Sequence, residues 1–119
     1  MKPTLLCIRM EPGRLMRISL IAGSLGISVR EVKEEQTGQT LEALLGLAPP
    51  RPAAGKKIGG EMAVLAFCPD GLMDELFQAI RKNGMERPKL LAVLTPTNRS
   101  WTCERLYREL KKEAAALNA

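Results

Sequence analysis

The chain contains no histidine and has few aromatic residues and cysteines. Without histidine it cannot form a Ser-His-Asp triad, a Cys-His pair or an imidazole metal site. Its three cysteines (Cys7, Cys68 and Cys103) form neither a C-x-x-C motif nor an even set, which is typical of a reduced, cytoplasmic protein. An aromatic content of 3% leaves the core to aliphatic side chains. We therefore expect no metal centre and no cofactor.

Long hydrophobic runs are also missing. The apolar run 18–27 is short, follows Arg14 and Arg17 and contains two glycines, so it predicts a packed helix and neither a signal peptide nor a membrane span. The net charge of +5 lies mostly in residues 1–60, and three of its basic residues, Arg51, Lys56 and Lys57, fall in a linker-like stretch. We therefore expect no membrane partner and consider nucleic acid an unlikely one.

With 119 residues, 45% of them hydrophobic, the chain has the size and composition of one soluble domain. An apolar run at 4–9 predicts a strand, the spacing of Leu15, Ile18, Ala22 and Leu25 predicts a helix ended by Gly26, and 27–32 predicts a strand near a sheet edge. Thr40 is positioned to cap a short helix at 41–45. Residues 49–60, rich in proline and glycine, have the composition of a flexible linker.

The same plan recurs after the linker. Residues 62–67 predict a strand, Asp70 is positioned to cap the next helix, residues 89–94 predict a fourth strand, and Asn98 or Ser100 is positioned to cap the last helix. We therefore divide the chain into a first half at 1–48, a linker at 49–60 and a second half at 61–119.

The predicted fold class is α/β: one compact domain of two β-α-β-α repeats that share a four-stranded, mostly parallel sheet with strand order 2-1-3-4 and helices packed on it. A ferredoxin-like α+β arrangement is the alternative. Edge strands would remain unpaired, so a homodimer is also considered.

In a parallel sheet the loops 9–14, 34–39, 68–71 and 95–100 would meet at the carboxyl edge, where α/β proteins bind ligands. Arginines there would attract a small anionic ligand, and hydroxyl, amide and indole groups would contact it. The candidate ligand-binding residues are Thr95, Thr97, Asn98, Arg99, Trp101, Arg9, Arg14 and Cys68.

Each of these residues also has a structural interpretation. Thr95, Thr97 and Asn98 are common in turns and caps, and Trp101 could simply cover strand ends. Cys68, at the start of a helix, could be a nucleophile or redox sensor, but no histidine is available as its base and Asp70 opposes a thiolate. Glu31, Glu34 and Glu35 are expected to be a solvated charge run. No spacing indicates paired catalytic carboxylates, so no catalytic residue is assigned.

Two segments carry a family resemblance: Val29–Val32 with Gln39–Gly46 in the first half, and Leu91–Thr102 with Leu106, Glu109 and Leu110 in the second. They resemble an uncharacterised bacterial family of domains of unknown function, DUF3783, and Thr95-Pro96-Thr97-Asn98-x-x-Trp101 is the specific part of the likeness. The resemblance implies a small cytoplasmic protein and supplies no activity, cofactor or catalytic residue.

The predicted function is a non-enzymatic regulatory or adaptor module that binds a small anionic ligand or a protein partner around the Thr-Pro-Thr-Asn loop. The alternatives are a small enzyme or redox sensor that uses Cys68 and a weak nucleic-acid binder.

Overall fold

The structure, a computed structural model, describes residues 1–56 and 58–117. Its strands are β1 (Thr4–Ile8), β2 (Ser28–Val32), β3 (Met62–Ala66) and β4 (Leu91–Val93). Its helices are α1 (Pro12–Ser24), α2 (Leu41–Leu44), α3 (Leu72–Lys82) and α4 (Cys103–Leu117), and a short 3₁₀ turn covers Glu34–Gln36.

The four strands form one sheet in the order β2-β1-β3-β4, which confirms the predicted α/β class and strand order. β1 with β2 and β3 with β4 are parallel, as expected of strands joined through a helix. The central pair is different: β1 and β3 are antiparallel, with Leu6 opposite Val64. The sheet is therefore mixed, and its parallel neighbours exclude the ferredoxin-like alternative.

This central pair changes where the loops lie. β1 and β2 finish at one end of the sheet, which we call the first end, and β3 and β4 finish at the opposite end, the second end. The expected meeting of four loops at a single carboxyl edge is thus wrong. Loops 9–14 and 34–39 begin at the first end, and loops 68–71 and 95–100 begin at the second.

Alternation along the central strands builds a core on each face of the sheet. On one face Leu5, Cys7 and Leu65 pack against α1 and α3, in contact with Ile18 and Leu76. On the other face Leu6, Ile8, Met62 and Val64 pack against α2 and α4, through side chains that include Leu41 and Leu106. β1 and β3 are buried along their whole length because helices cover both faces.

Two predicted helix caps are wrong. Gly71, in the left-handed region with φ 85°, takes the cap position of α3, and no side chain caps that helix, so Asp70 does not. α4 is capped by Thr102, whose Oγ1 accepts from the Arg105 N–H at 3.2 Å. Asn98 and Ser100 lie too far upstream, because the loop after β4 makes one further turn before the helix begins.

The two halves share several local features at equivalent positions. After α1, the Ile27 N–H donates to the Ala22 carbonyl, and 58 positions later the Met85 N–H donates to the Ile80 carbonyl. Gly26 (φ 77°) and Gly84 (φ 69°) occupy the left-handed position that this ending requires. The second-helix caps Thr40 and Thr102 also correspond, and they face each other in an antiparallel bridge. The halves are therefore related by an approximate two-fold axis that passes between β1 and β3.

The segment 49–60 packs on the first half. The Thr37 Oγ1 accepts from the Lys56 N–H at 2.9 Å, Gln39 exchanges two hydrogen bonds with the backbone of Arg51, and the Ile58 side chain is buried. A Cβ on Gly55 would overlap the carbonyl oxygen of Glu34, so only glycine allows this close approach. Lys57 lies outside the described residues, and the flexibility of the segment stays a prediction.

Candidate functional site

A cavity of about 300 Å³ opens at the first end of the sheet, between the ends of β1 and β2 and the segment that precedes β3. Its apolar floor is made by Ile8, Met10, Val32 and Ile58, all of them buried. The charged residues that line it are Arg9, Lys33, Lys56, Glu31 and Glu34. A cavity with an apolar floor and a few polar groups is the usual form of a small-molecule site.

Local structure fixes the walls of this cavity. Arg9 leaves β1 with φ 52°, in the left-handed region, and its Nη1 donates to the Ile58 carbonyl at 2.8 Å. Thr37 is 1% exposed, and its hydroxyl lies 2.8 Å from the carbonyl oxygens of both Glu34 and Lys56. These bonds join the 3₁₀ turn to the linker, so Lys56 and Ile58 are held against the ends of the strands.

The Thr-Pro-Thr-Asn loop lies at the second end, and its polar groups are used within the turn. The Thr95 N–H donates to Asn98 Oδ1 at 2.9 Å, and the Asn98 N–H donates to Thr95 Oγ1 at 3.0 Å. Asn98 Nδ2 also donates to the Val93 carbonyl at 3.0 Å, and Asn98 is buried. Thr97 is exposed, and the loop does not line the cavity at the first end.

The rest of the loop docks onto α2. The carbonyls of Arg99 and Trp101 accept from the N–H groups of Glu42 and Leu41, each at 2.9 Å, and the Arg99 guanidinium pairs with the Glu42 carboxylate at 2.9 Å. Arg105 stacks on the Trp101 ring at 4.4 Å. The two backbone hydrogen bonds supply partners for the first N–H groups of α2, a role that is structural.

Comparison with known protein families gives a match that covers the second half of the chain. The model of DUF3783, described as a domain of unknown function, matches residues 61–117. Those residues belong to DUF3783. The match includes the Thr95–Trp101 motif, whereas the expected likeness of residues 29–46 lies outside it. The comparisons with curated proteins and with solved structures gave no match.

Arg14 is a predicted ligand residue that joins the halves. It forms two hydrogen bonds with Glu61, the residue before the DUF3783 strand β3, at 2.7 and 3.1 Å. This carboxylate raises the pKa of the Arg14 guanidinium. Arg14 lines a separate, wider groove with Arg17 and Glu86, and it does not line the cavity that Arg9 borders.

The three thiols differ in their surroundings. Burial raises the pKa of Cys7 and of Cys103 to about 12, so both are packed and unreactive. Cys68, at the start of the loop before α3 in the DUF3783 half, is partly exposed and its Sγ lies 3.4 Å from the Pro69 carbonyl. Its role as a nucleophile stays a prediction.

Of the eight candidate residues, Arg9 alone lines the cavity. Sequence reasoning missed Thr37, Lys56 and Ile58 as parts of a site, and interpreted Glu31 and Glu34 as a solvated run. One signal was present: Ile58 is the one large apolar residue in a polar linker. Among the described residues, no cluster of His, Cys, Asp or Glu suits a metal ion, and no helix is long and apolar enough to cross a membrane.

Proposed function

We propose that this protein is a non-enzymatic binding module whose site is the cavity at the first end of the sheet. The ligand is a small molecule that carries an anionic group. The observation that supports this proposal is the position of Arg9, Lys33 and Lys56 around an apolar floor at the carboxyl ends of two parallel strands. In α/β proteins this is the place where ligands bind.

Each basic group has a distinct part in this proposal. Arg9 is fixed by its bond to the Ile58 carbonyl, so its planar guanidinium is oriented before a ligand arrives. Lys33 and Lys56 are exposed and carry mobile ammonium groups that follow the ligand's charge. Regulation would follow if a bound ligand tied the linker, which forms one wall, more firmly to the first half.

An amide-resolved NMR titration with phosphate, nucleotides and small carboxylates tests the proposal. We expect shifts confined to residues 8–10, 31–37, 56 and 58, and weaker binding in Lys33→Ala. Lys111→Ala, an equal change of charge at an exposed position of α4, is the matched control and should bind like the wild type.

Other outcomes assign the function differently. Shifts on residues 68–71 and 95–101 would move the site to the second end, as the sequence predicts. A complete absence of shifts would contradict the small-ligand proposal and favour a protein partner.

A further inference from the structure

The cavity at the first end is lined by acidic as well as basic side chains. Glu31 and Lys33 lie two residues apart on β2 and its continuation, so they project to the same side of the strand, and Glu34 follows at the start of the 3₁₀ turn. An anion alone would be attracted by Arg9 and the lysines and repelled by both glutamates. The lining therefore fits a ligand with charges of both signs better than a simple anion.

Among the described residues, the opposite charges around this cavity form no ion pair with each other. Within residues 1–56 and 58–117, the ion pairs are Arg14 with Glu61, Arg99 with Glu42, and Lys112 with Glu109, and none of them includes a residue that lines the cavity. The carboxylates of Glu31 and Glu34 are thus more than 4 Å from the charged nitrogens of Arg9, Lys33 and Lys56. A ligand with one ammonium and one carboxylate can bridge such groups.

The apolar floor and the volume of the cavity limit the side chain and the size of the ligand. Ile8, Val32 and Ile58 are 1%, 4% and 7% exposed, and Met10 adds a flexible thioether that adapts to irregular shapes. A volume of about 300 Å³ is at the lower limit of ligand pockets, which suits a molecule the size of leucine or methionine and is small for a nucleotide.

We propose that the ligand is an apolar α-amino acid, a proposal that rests on the proposed function of the same site. Arg9 and the lysines hold its carboxylate, Glu31 and Glu34 hold its ammonium group, and the aliphatic side chain lies on the floor.

The test compares three probes that share one side chain: L-leucine, 4-methylpentanoate, which lacks the amine, and 3-methylbutylamine, which lacks the carboxylate. Each is titrated by NMR and by calorimetry into the whole protein. A charge-assisted hydrogen bond is worth about tenfold in affinity, so leucine should bind at least about tenfold more tightly than either analogue. The double variant E31Q/E34Q should lose the preference for leucine over 4-methylpentanoate and should bind 4-methylpentanoate at least as tightly as the wild type, because two carboxylates that repel this anion are removed. E35Q, a neighbouring exposed glutamate that does not line the cavity, should keep the preference.

The outcomes separate this inference from the function on which it rests. If 4-methylpentanoate binds as tightly as leucine at residues 8–10 and 31–37, the amino-acid inference is overturned and the anion site stands. The same conclusion follows if phosphate or a nucleotide binds there and leucine does not. If none of these molecules shifts those residues, both proposals fail. The spectrum of each variant reports its fold, so loss of binding through unfolding would be recognised directly.

Discussion

The two halves of this chain share one backbone plan and differ in what fills it. Arg9 and Phe67, 58 positions apart, follow the first strand of each half, and both have positive φ, 52° and 57°. Placing a residue other than glycine in the left-handed backbone conformation costs about 1–2 kcal/mol of folding free energy. Because Phe67 packs against the core, the strained angle belongs to the fold and is no sign of function by itself. What differs is the side chain: an aromatic ring in one half, and a guanidinium at the wall of a cavity in the other.

The following loop shows the same contrast. The Lys33 N–H donates to Gln36 Oε1, as the Thr95 N–H donates to Asn98 Oδ1 62 positions later, each at 2.9 Å. Gln36 is exposed, whereas Asn98 is buried and makes a further bond to the Val93 carbonyl. The second-half loop is closed by its own bonds, and the corresponding loop of the first half borders a cavity with the linker as its other wall. The family motif thus lies in the more closed of the two loops, and the candidate site borders the other loop.

The largest expected effect tests whether the halves fold as one unit. Ile18 on α1 and Leu76 on α3 are equivalent, and both are almost fully buried in the same core. Ile18→Ala and Leu76→Ala should each lower the free energy of unfolding by about 2–5 kcal/mol. Guanidinium unfolding should show a single transition in both variants. Met16→Ala, on the same helix but 65% exposed, is the control and should change stability by less than about 0.5 kcal/mol. Two transitions, each shifted by one variant, would show independent halves.

The next effect depends on pH and compares the two buried thiols, Cys7 from the first half and Cys103 from the second. Each has a folded pKa of about 12, above the ordinary value of 9.0. The contribution of the two protonated thiols to the free energy of unfolding is therefore fully present below pH 9 and is lost as the pH rises towards 12. It is lost because the thiols of the unfolded chain release their protons at a lower pH than those of the folded protein. Each pH unit of that interval costs about 1.4 kcal/mol per thiol.

Cys7→Ala and Cys103→Ala should each reduce, by a similar amount, the slope with which the free energy of unfolding decreases with pH. The double variant should reduce that slope most. Urea unfolding at pH 8, 9, 10 and 11 measures the slopes, with each variant referred to its own stability at pH 8. A variant whose slope equals that of the wild type would contradict the burial of its thiol.

Sequence reasoning recovered the elements and the strand order because hydrophobic period, glycine stops and linker composition act locally. It failed on the direction of β1 relative to β3. A strand buried on both faces has the same apolar pattern in either direction, so Thr4–Ile8 and Met62–Ala66 carry no signal that separates the two. The predicted location of the site is wrong for the same reason. A fully parallel sheet would bring Arg9 beside Thr95, whereas the neighbours of Arg9 in the structure are Lys56 and Ile58, from the segment interpreted as a linker.

A moderate effect should separate the two equivalent loops. Asn98→Ala removes the acceptor for Thr95 and the donor for Val93 from a buried position, which should cost about 1–3 kcal/mol. Gln36→Ala removes the matching bond to Lys33 from an exposed position, where water replaces it, so we expect less than about 1 kcal/mol. Thermal or chemical unfolding of the pair measures the difference. Equal costs would show that burial does not distinguish the loops.

The smallest effect compares the two ion pairs that join the halves. Arg14 and Glu61 make two hydrogen bonds, with the arginine side chain 22% exposed, whereas one bond links Arg99 to Glu42 and the Arg99 side chain is 46% exposed. Exposed pairs contribute about 0.2–1 kcal/mol, and bidentate geometry places a pair at the upper end of that range. Glu61→Gln should therefore lower the free energy of unfolding slightly more than Glu42→Gln. Both losses should be smaller in 1 M NaCl, because salt screens exposed charges. If Glu42→Gln proved the more costly, the pair that joins the loop after β4 to α2 would be the stronger of the two ion pairs between the halves, in spite of its greater exposure.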